Sequence, residues 1–147
     1  MERRDFDMLS RWAILVRNPL GILLSLTYGD DELRRWRAIE AIGKVAGWLT
    51  IRGIEKVRDF IRRLLWLMND ESGGLGWFCP EIIGEILVNV PALAREYAGL
   101  LPAYFHQEPF EKGTHQAVYR VAQVCPLPFV KSIPKLADSL NNPDPVV

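Results

Sequence analysis

The chain has 147 residues, 49% apolar and 24% charged, with 18 Lys and Arg balancing 18 Asp and Glu. That length supports one domain, residues 1–147, around one sizeable core. The composition excludes a disordered tail, a collagen-like fibre and a disulfide scaffold.

Helical periodicity runs through almost the whole chain, and Pro and Gly punctuate it. The predicted helices span 5–17, 19–28, 31–49, 53–69, 80–90, 92–106, 110–125 and 128–140. The apolar stretch from Trp12 to Tyr28 is broken by Arg17, Asn18 and Pro19. A membrane span needs about 20 apolar residues in a row, so none is predicted there. With no secretory signal readable at the N-terminus, the expected location is cytoplasmic.

Asp30 and Asp31 are capping residues for the third helix, whose apolar face runs Leu33, Trp36, Ile39, Ile42, Val45, Ala46 and Leu49. The fourth buries Ile54, Val57, Ile61, Leu64, Leu65 and Met68 and sets Glu55, Arg58, Asp59, Arg62 and Arg63 on its other face. Pro19, Pro80, Pro91 and Pro109 sit near helix starts, where a missing N–H costs nothing. Pro134 interrupts the last segment, which reads as a turn followed by a helix from about 133. No stretch alternates apolar and polar residues for long enough to form a strand.

Short links make successive helices antiparallel hairpins. The hairpins repeat weakly. Arg37 to Val45 aligns with Pro80 to Ile86, placing Gly43 and Gly84 41 residues apart. A third copy at 116–124 puts Ala122 at the same place, 38 residues on. Glycine within a helix costs about 1 kcal/mol against alanine, so its retention points to close approach of a partner helix. A two-helix period near 40 is the signature of an α-solenoid. The predicted fold is therefore all-α, a solenoid of about four hairpins.

The stretch Arg37-Ala38-Ile39-Glu40-Ala41-Ile42-Gly43 resembles the first helix of HEAT-like repeats of the kind named after phycobilisome lyases. Leu140 to Val146 resembles the opening of a further unit. Leu65 to Trp77, leading into Cys79-Pro80-Glu81, is similar to a small group of uncharacterised bacterial HEAT-like proteins. The third copy departs from the pattern, with Ala122 and Gln123 in place of Gly and a charge. The resemblance implies an outer layer from the helices near 31–49, 80–90 and 110–125. The helices near 53–69, 92–106 and 128–140 would then line the concave side. The chain stops where a further unit would open, which fits either truncation or a short polar cap from Pro143.

Charge is unevenly spread. Residues 34–63 carry nine basic and three acidic side chains, and residues 69–115 carry seven acidic and two basic ones. Such polarity suits an acidic partner or head-to-tail self-association, although helix surfaces are commonly charged.

The most distinctive segment is Ser72 to Trp77, with Gly73 and Gly74, entering a helix at Cys79-Pro80. Either the loop binds a partner, with Trp77 as an apolar anchor, or its glycines serve a turn and the aromatics plug the core. Asn69, Asp70, Glu71, Glu81 and Glu85 cluster around it in sequence, and Glu81 and Glu85 share a helix face. Paired carboxylates suit acid–base or cation chemistry, but they equally suit the first turns of a helix. Cys79 and Cys125 read as small buried residues, and His106 and His115 as surface groups without zinc spacing. Trp36 falls on an apolar stripe, whereas Trp48 and Trp66 fall off it.

The functional expectation is a non-catalytic scaffold without cofactor or metal, binding a protein or peptide on its concave face. Its candidate contacts are Arg58, Arg62, Trp66, Asn69, Asp70, Gly73, Gly74, Trp77, Glu81 and Glu85. The alternative is a HEAT-like nucleic-acid binder using the basic 34–63 region, and a homodimer is a further expected partner arrangement.

Overall fold

The computed structural model describes residues 5–70 and 76–144. Gly73, Gly74 and the chain end from Pro145 lie outside the described residues. The described part is all-α: α1 (Phe6–Leu15), α2 (Pro19–Ser25), α3 (Glu32–Thr50), α4 (Glu55–Asn69), α5 (Cys79–Asn89), α6 (Pro91–Tyr97), α7 (Glu111–Ala122) and α8 (Ile133–Ser139). Tighter 3-10 segments extend α2 over Leu26–Tyr28 and α6 over Ala98–Tyr104, and precede α8 over Leu127–Ser132. No helix among the described residues is long and apolar enough to cross a membrane.

Local signals explain the helix starts. The Asp31 carboxylate accepts a hydrogen bond from the Arg34 N–H at 3.0 Å, capping α3. Asn18 does the same for the Gly21 N–H at the start of α2, where Pro19 occupies the first turn. The link from α3 to α4 turns at Gly53, whose φ of 142° is left-handed backbone that suits glycine. Between α5 and α6 the turn is made at Val90, with Pro91 opening the next helix.

α3, α5 and α7 lie side by side, and their contact register fixes their sense. On α3, Gly43 faces Glu85 of α5 and Gly47 faces Asn89. On α5, Gly84 faces Ala117 of α7, while Glu81 faces Gly113. Partner positions rise together in both pairs, so the three helices run parallel. α4 and the α6 extension show the same sense: Arg58 meets Glu96, and Asn69 meets Tyr104. The buried face of α4 (Val57, Phe60, Ile61, Leu64 and Met68) joins Ile39, Ile42, Ile82, Ile86, Leu93 and Phe105 in one core.

Two contacts between α-helices are at backbone distance. A Cβ added to Gly43 would stand 2.7 Å from the Glu85 carbonyl oxygen, and one added to Gly84 would stand 2.8 Å from the Ala117 Cα. The close approach expected at Gly43 and Gly84 is therefore present. What Gly84 meets is Ala117, five positions before Ala122, which is partly buried near the end of α7. Register between α5 and α7 is set by what packs, not by the sequence alignment of the hairpins.

Further side chains depart from expectation, and Leu49, Ile54 and Leu65 are only half-buried. Leu33 is exposed. Trp36 is half-buried rather than core. His115 is not a surface group: its ring stacks on Phe105 at 4.5 Å, with Nδ1 2.8 Å from the Glu111 carbonyl and Nε2 2.8 Å from Ser139 Oγ. The carbonyl can only accept, so Nδ1 carries the proton in that bond. Together with the Lys112–Asp144 ion pair at 2.5 Å, this ties α8 and the following residues to α7.

Gly84→Ala and Gly43→Ala are each expected to destabilise the chain by about 1–3 kcal/mol, the usual cost of forcing an atom into packed backbone. Gly99→Ala has nothing within 4 Å of the added carbon and serves as the control, with an expected change of about 0.5 kcal/mol or less. Urea unfolding midpoints of the three variants check this.

Candidate functional site

The ten residues singled out from sequence divide into separate places. Arg58 and Asn69 make contacts between helices. The Arg58 guanidinium donates from Nε to both carboxylate oxygens of Glu96 at 3.1 Å and also pairs with Glu55. The Asn69 amide donates to the Leu65 carbonyl at 2.7 Å and to the Tyr104 hydroxyl at 2.9 Å. Both side chains join α4 to α6 and its extension. Asp70 ends α4 as its C-terminal cap residue.

Arg62, Trp66 and Trp77 are exposed. Trp66 retains 63% of its accessible surface and Trp77 retains 58%. Arg62 pairs with Asp59 one turn back, at 3.0 Å, where both side chains are in solvent. Along α4, Glu55, Lys56, Asp59, Arg62, Arg63 and Trp66 make one exposed face. With 15 residues α4 is about 22 Å long. At its start this face borders an open groove of about 700 Å³, walled by Ile14, Arg17, Leu49, Arg52, Lys56 and Phe60. No sequence signal marked that groove, because α1, α2 and α4 meet there only through folding.

Glu81 and Glu85 lie elsewhere, in a cavity of about 210 Å³ among α3, α5 and α7. Trp36, Ile39 and Glu40 come from α3, Glu81, Gly84 and Glu85 from α5, and Gln116, Ala117 and Arg120 from α7. Helical spacing places 81, 84 and 85 on one face of α5, and 116, 117 and 120 on one face of α7. Glu85 forms a two-pronged ion pair with Arg120, Nε to Oε1 at 2.7 Å and Nη2 to Oε2 at 3.2 Å. The bonds to Glu85 lead the causes that raise the Arg120 pKa, and the nearby Glu40 charge adds to them.

Glu81 is differently placed. It is 9% exposed, and its Oε2 is buried without a hydrogen-bond partner. Its carboxylate rests against Gly113, where any Cβ would collide with it. Burial pushes its pKa up to about 7, opposed by a backbone hydrogen bond and by the Arg35 charge. Arg35 itself donates to the Thr27 and Gly29 carbonyls and lies over the Phe78 ring at 4.3 Å. Thr114, next to Gly113, is also buried with its hydroxyl unpartnered. Sequence reasoning reached Glu81 and Glu85 through their spacing but missed Trp36, Glu40, Gln116 and Arg120 as their companions. The pairing of Arg120 with Glu85 spans 35 positions, which no local pattern reveals.

Cys79 is buried, and burial, reinforced by the Glu81 charge, raises its thiol pKa to about 12. That thiol is inert at neutral pH, in keeping with a small buried residue. Cys125 is only half-buried. Among the described residues no group of three His, Cys, Asp or Glu side chains is placed to hold a metal ion.

No family model matches the chain, and no solved structure matches it. An uncharacterized protein of Archaeoglobus fulgidus is 30% identical over 123 residues, covering 81% of this chain. The chain spans 62% of that relative's length.

The folded pKa of Glu81 lies above the unfolded value of 4.5. Its contribution is therefore fully present below pH 4.5 and is lost as pH rises through about 7. The loss is on the order of 3 kcal/mol at about 1.4 kcal/mol per pKa unit. Glu81→Gln removes the ionisation, so its urea midpoint should change less between pH 4.5 and 8 than that of the parent. Equal slopes for the two proteins would contradict this assignment. With a thiol reagent at pH 8, Cys125 should react well before Cys79, whose labelling should follow global unfolding.

Proposed function

We propose that this chain is a HEAT-like helical-repeat scaffold that docks a protein or peptide segment along the exposed face of α4. The observation that carries the reading is the pair of tryptophans, Trp66 and Trp77, each more than half exposed. Trp and Arg are the residues most often found at interface hot spots. Here Trp66 shares its helix face with Arg62 and Arg63, and the same face continues to the groove beside Lys56. A segment lying along it would meet apolar contact at both ends and alternating charge between.

The solenoid arrangement is part of this proposal. What supports it is the parallel sense of α3, α5 and α7 in one row and of α4 and α6 in the next, since stacked hairpins bring like helices side by side. In that arrangement α4 belongs to the concave row. A nucleic-acid partner on residues 34–63 is the weaker reading. Arg35, Arg58 and Arg62 already bind carbonyl or carboxylate groups of their own chain, which leaves less of the basic tract to neutralise phosphates.

The test is affinity capture with the parent chain and with an Arg62→Glu, Trp66→Ala double variant, from lysate of the source organism with and without nuclease. The parent should retain a stoichiometric protein after nuclease, and the double variant should lose it while its helical circular dichroism stays the same. Hot-spot truncations cost about 2 kcal/mol each, so the expected loss is about 100-fold or more. Equal retention by both proteins would overturn the assignment to α4, and a nuclease-sensitive eluate would replace it with the nucleic-acid reading.

A further inference from the structure

The open groove of about 700 Å³ at the start of α4 lies where α1, α2 and the turn from α3 to α4 meet. Its floor is apolar: Ala13, Leu20 and Phe60 are buried there, and Ile14 on the wall is 51% exposed. Its charged wall residues are Arg17, Arg52 and Lys56 against Glu55 and Asp59. Both carboxylates are already engaged, Glu55 by Arg58 and Asp59 by Arg62. Neither of those arginines lines the groove. The three wall cations are exposed, and no hydrogen bond or ion pair joins their side chains to another described residue. Arg17 follows α1, Arg52 follows α3 and Lys56 lies in the first turn of α4, so folding gathers them around one apolar floor.

We propose that this groove receives an acidic, apolar peptide segment of the partner, in which carboxylates flank a large apolar side chain. The inference rests on the docking role of α4 and names the chemistry of the occupant. Lys56 belongs both to the groove and to the exposed face of α4, so a segment lying along that face reaches the groove directly. Its apolar side chain would remove Ile14, Leu20 and Phe60 from water, and its carboxylates would meet Arg17, Arg52 and Lys56. A basic segment would face three cations, with the neighbouring carboxylates already shared with Arg58 and Arg62. A purely apolar segment would strip water from charges without replacing it. A phosphate backbone would satisfy the cations and leave the apolar floor open to water. Ligand clefts commonly hold about 300–1,000 Å³, so this groove has room for more than one side chain. Charge complementarity of this kind selects the partner and speeds its arrival.

The test is fluorescence anisotropy of a fluorescein-labelled peptide, Glu-Glu-Leu-Phe-Glu-Glu-Leu-Leu-Glu-Glu, titrated with the full chain at about 50 mM salt, where exposed charges are weakly screened. Two reference peptides keep the apolar residues and carry Gln or Lys in place of every Glu. The Glu peptide should bind saturably, about tenfold tighter than the Gln peptide, with the Lys peptide weakest. An Arg52→Glu, Lys56→Glu double variant should reverse the order and prefer the Lys peptide. That reversal needs a folded groove, so it separates lost charge from lost fold. No saturable binding of the Glu peptide up to about 1 mM chain would overturn the proposal. So would equal binding of the Glu and Gln peptides, or an unchanged order in the double variant. Single-stranded DNA that displaces the labelled peptide more effectively than unlabelled Glu peptide would overturn it in favour of nucleic acid. Affinity capture separates this inference from the docking role of α4. A protein retained by the Arg52→Glu, Lys56→Glu chain but lost by Arg62→Glu, Trp66→Ala would leave α4 as the docking face and overturn the acidic occupant of the groove.

Discussion

The close approach of three parallel backbones governs this molecule. At Gly43 the α3 backbone meets the Glu85 carbonyl, and at Gly84 the α5 backbone meets Ala117. A methyl group at either position would push the helices apart. Spacing at these two points sets the distances between α3, α5 and α7, whose buried side chains share one core with those of α4 and α6. Dispersion forces are short-ranged, so a small added separation would loosen many side-chain contacts at once.

The same approach creates the polar cavity. Helices held together at glycine cannot also be filled at every level by large side chains. Beside Gly84 the space is lined instead by Glu40, Glu81, Glu85 and Arg120. Two of these neutralise each other, and Glu81 does not take part. The raised pKa of Glu81 is thus a consequence of packing geometry: α7 leaves room for a carboxyl at Gly113 but brings it no donor. The exposed side of α4 follows an opposite logic. There the charges are solvated and pair locally, as Asp59 does with Arg62, and such pairs contribute little to stability. What distinguishes that surface is its aromatic content, with Trp66 presented to solvent by a helix whose buried face is already complete.

Much of the architecture was legible in the residue order. Apolar spacing of 3 and 4, proline at helix starts and Asp31 ahead of α3 are local signals, and they placed most helix ends to within a few residues; α6 passes into a 3-10 segment after Tyr97, short of the expected end at 106. The glycines at 43 and 84 announced helix contacts for a local reason as well, since glycine is costly within a helix unless something approaches it. The site was less legible. Glu81 and Glu85 stood out by their spacing, but the same spacing could not tell that one is buried without a donor and the other is held by Arg120. The contacts of Asn69 and Arg58 were not legible, because Tyr104 and Glu96 lie 35 and 38 positions away.

Residue order by itself determined the all-α class, the approximate bounds of most helices, and the close helix contacts at Gly43 and Gly84. Tertiary structure alone decided that α7 meets α5 through Ala117 and Gly113, that His115 and Trp36 are drawn inward, and which charges are paired. The division has one physical cause. Helix formation depends on hydrogen bonds and side chains within four residues of each other. Burial, ion pairing and cavity shape depend on which faces meet after the chain has folded, and a register difference of five residues between α5 and α7 changes every one of those partners.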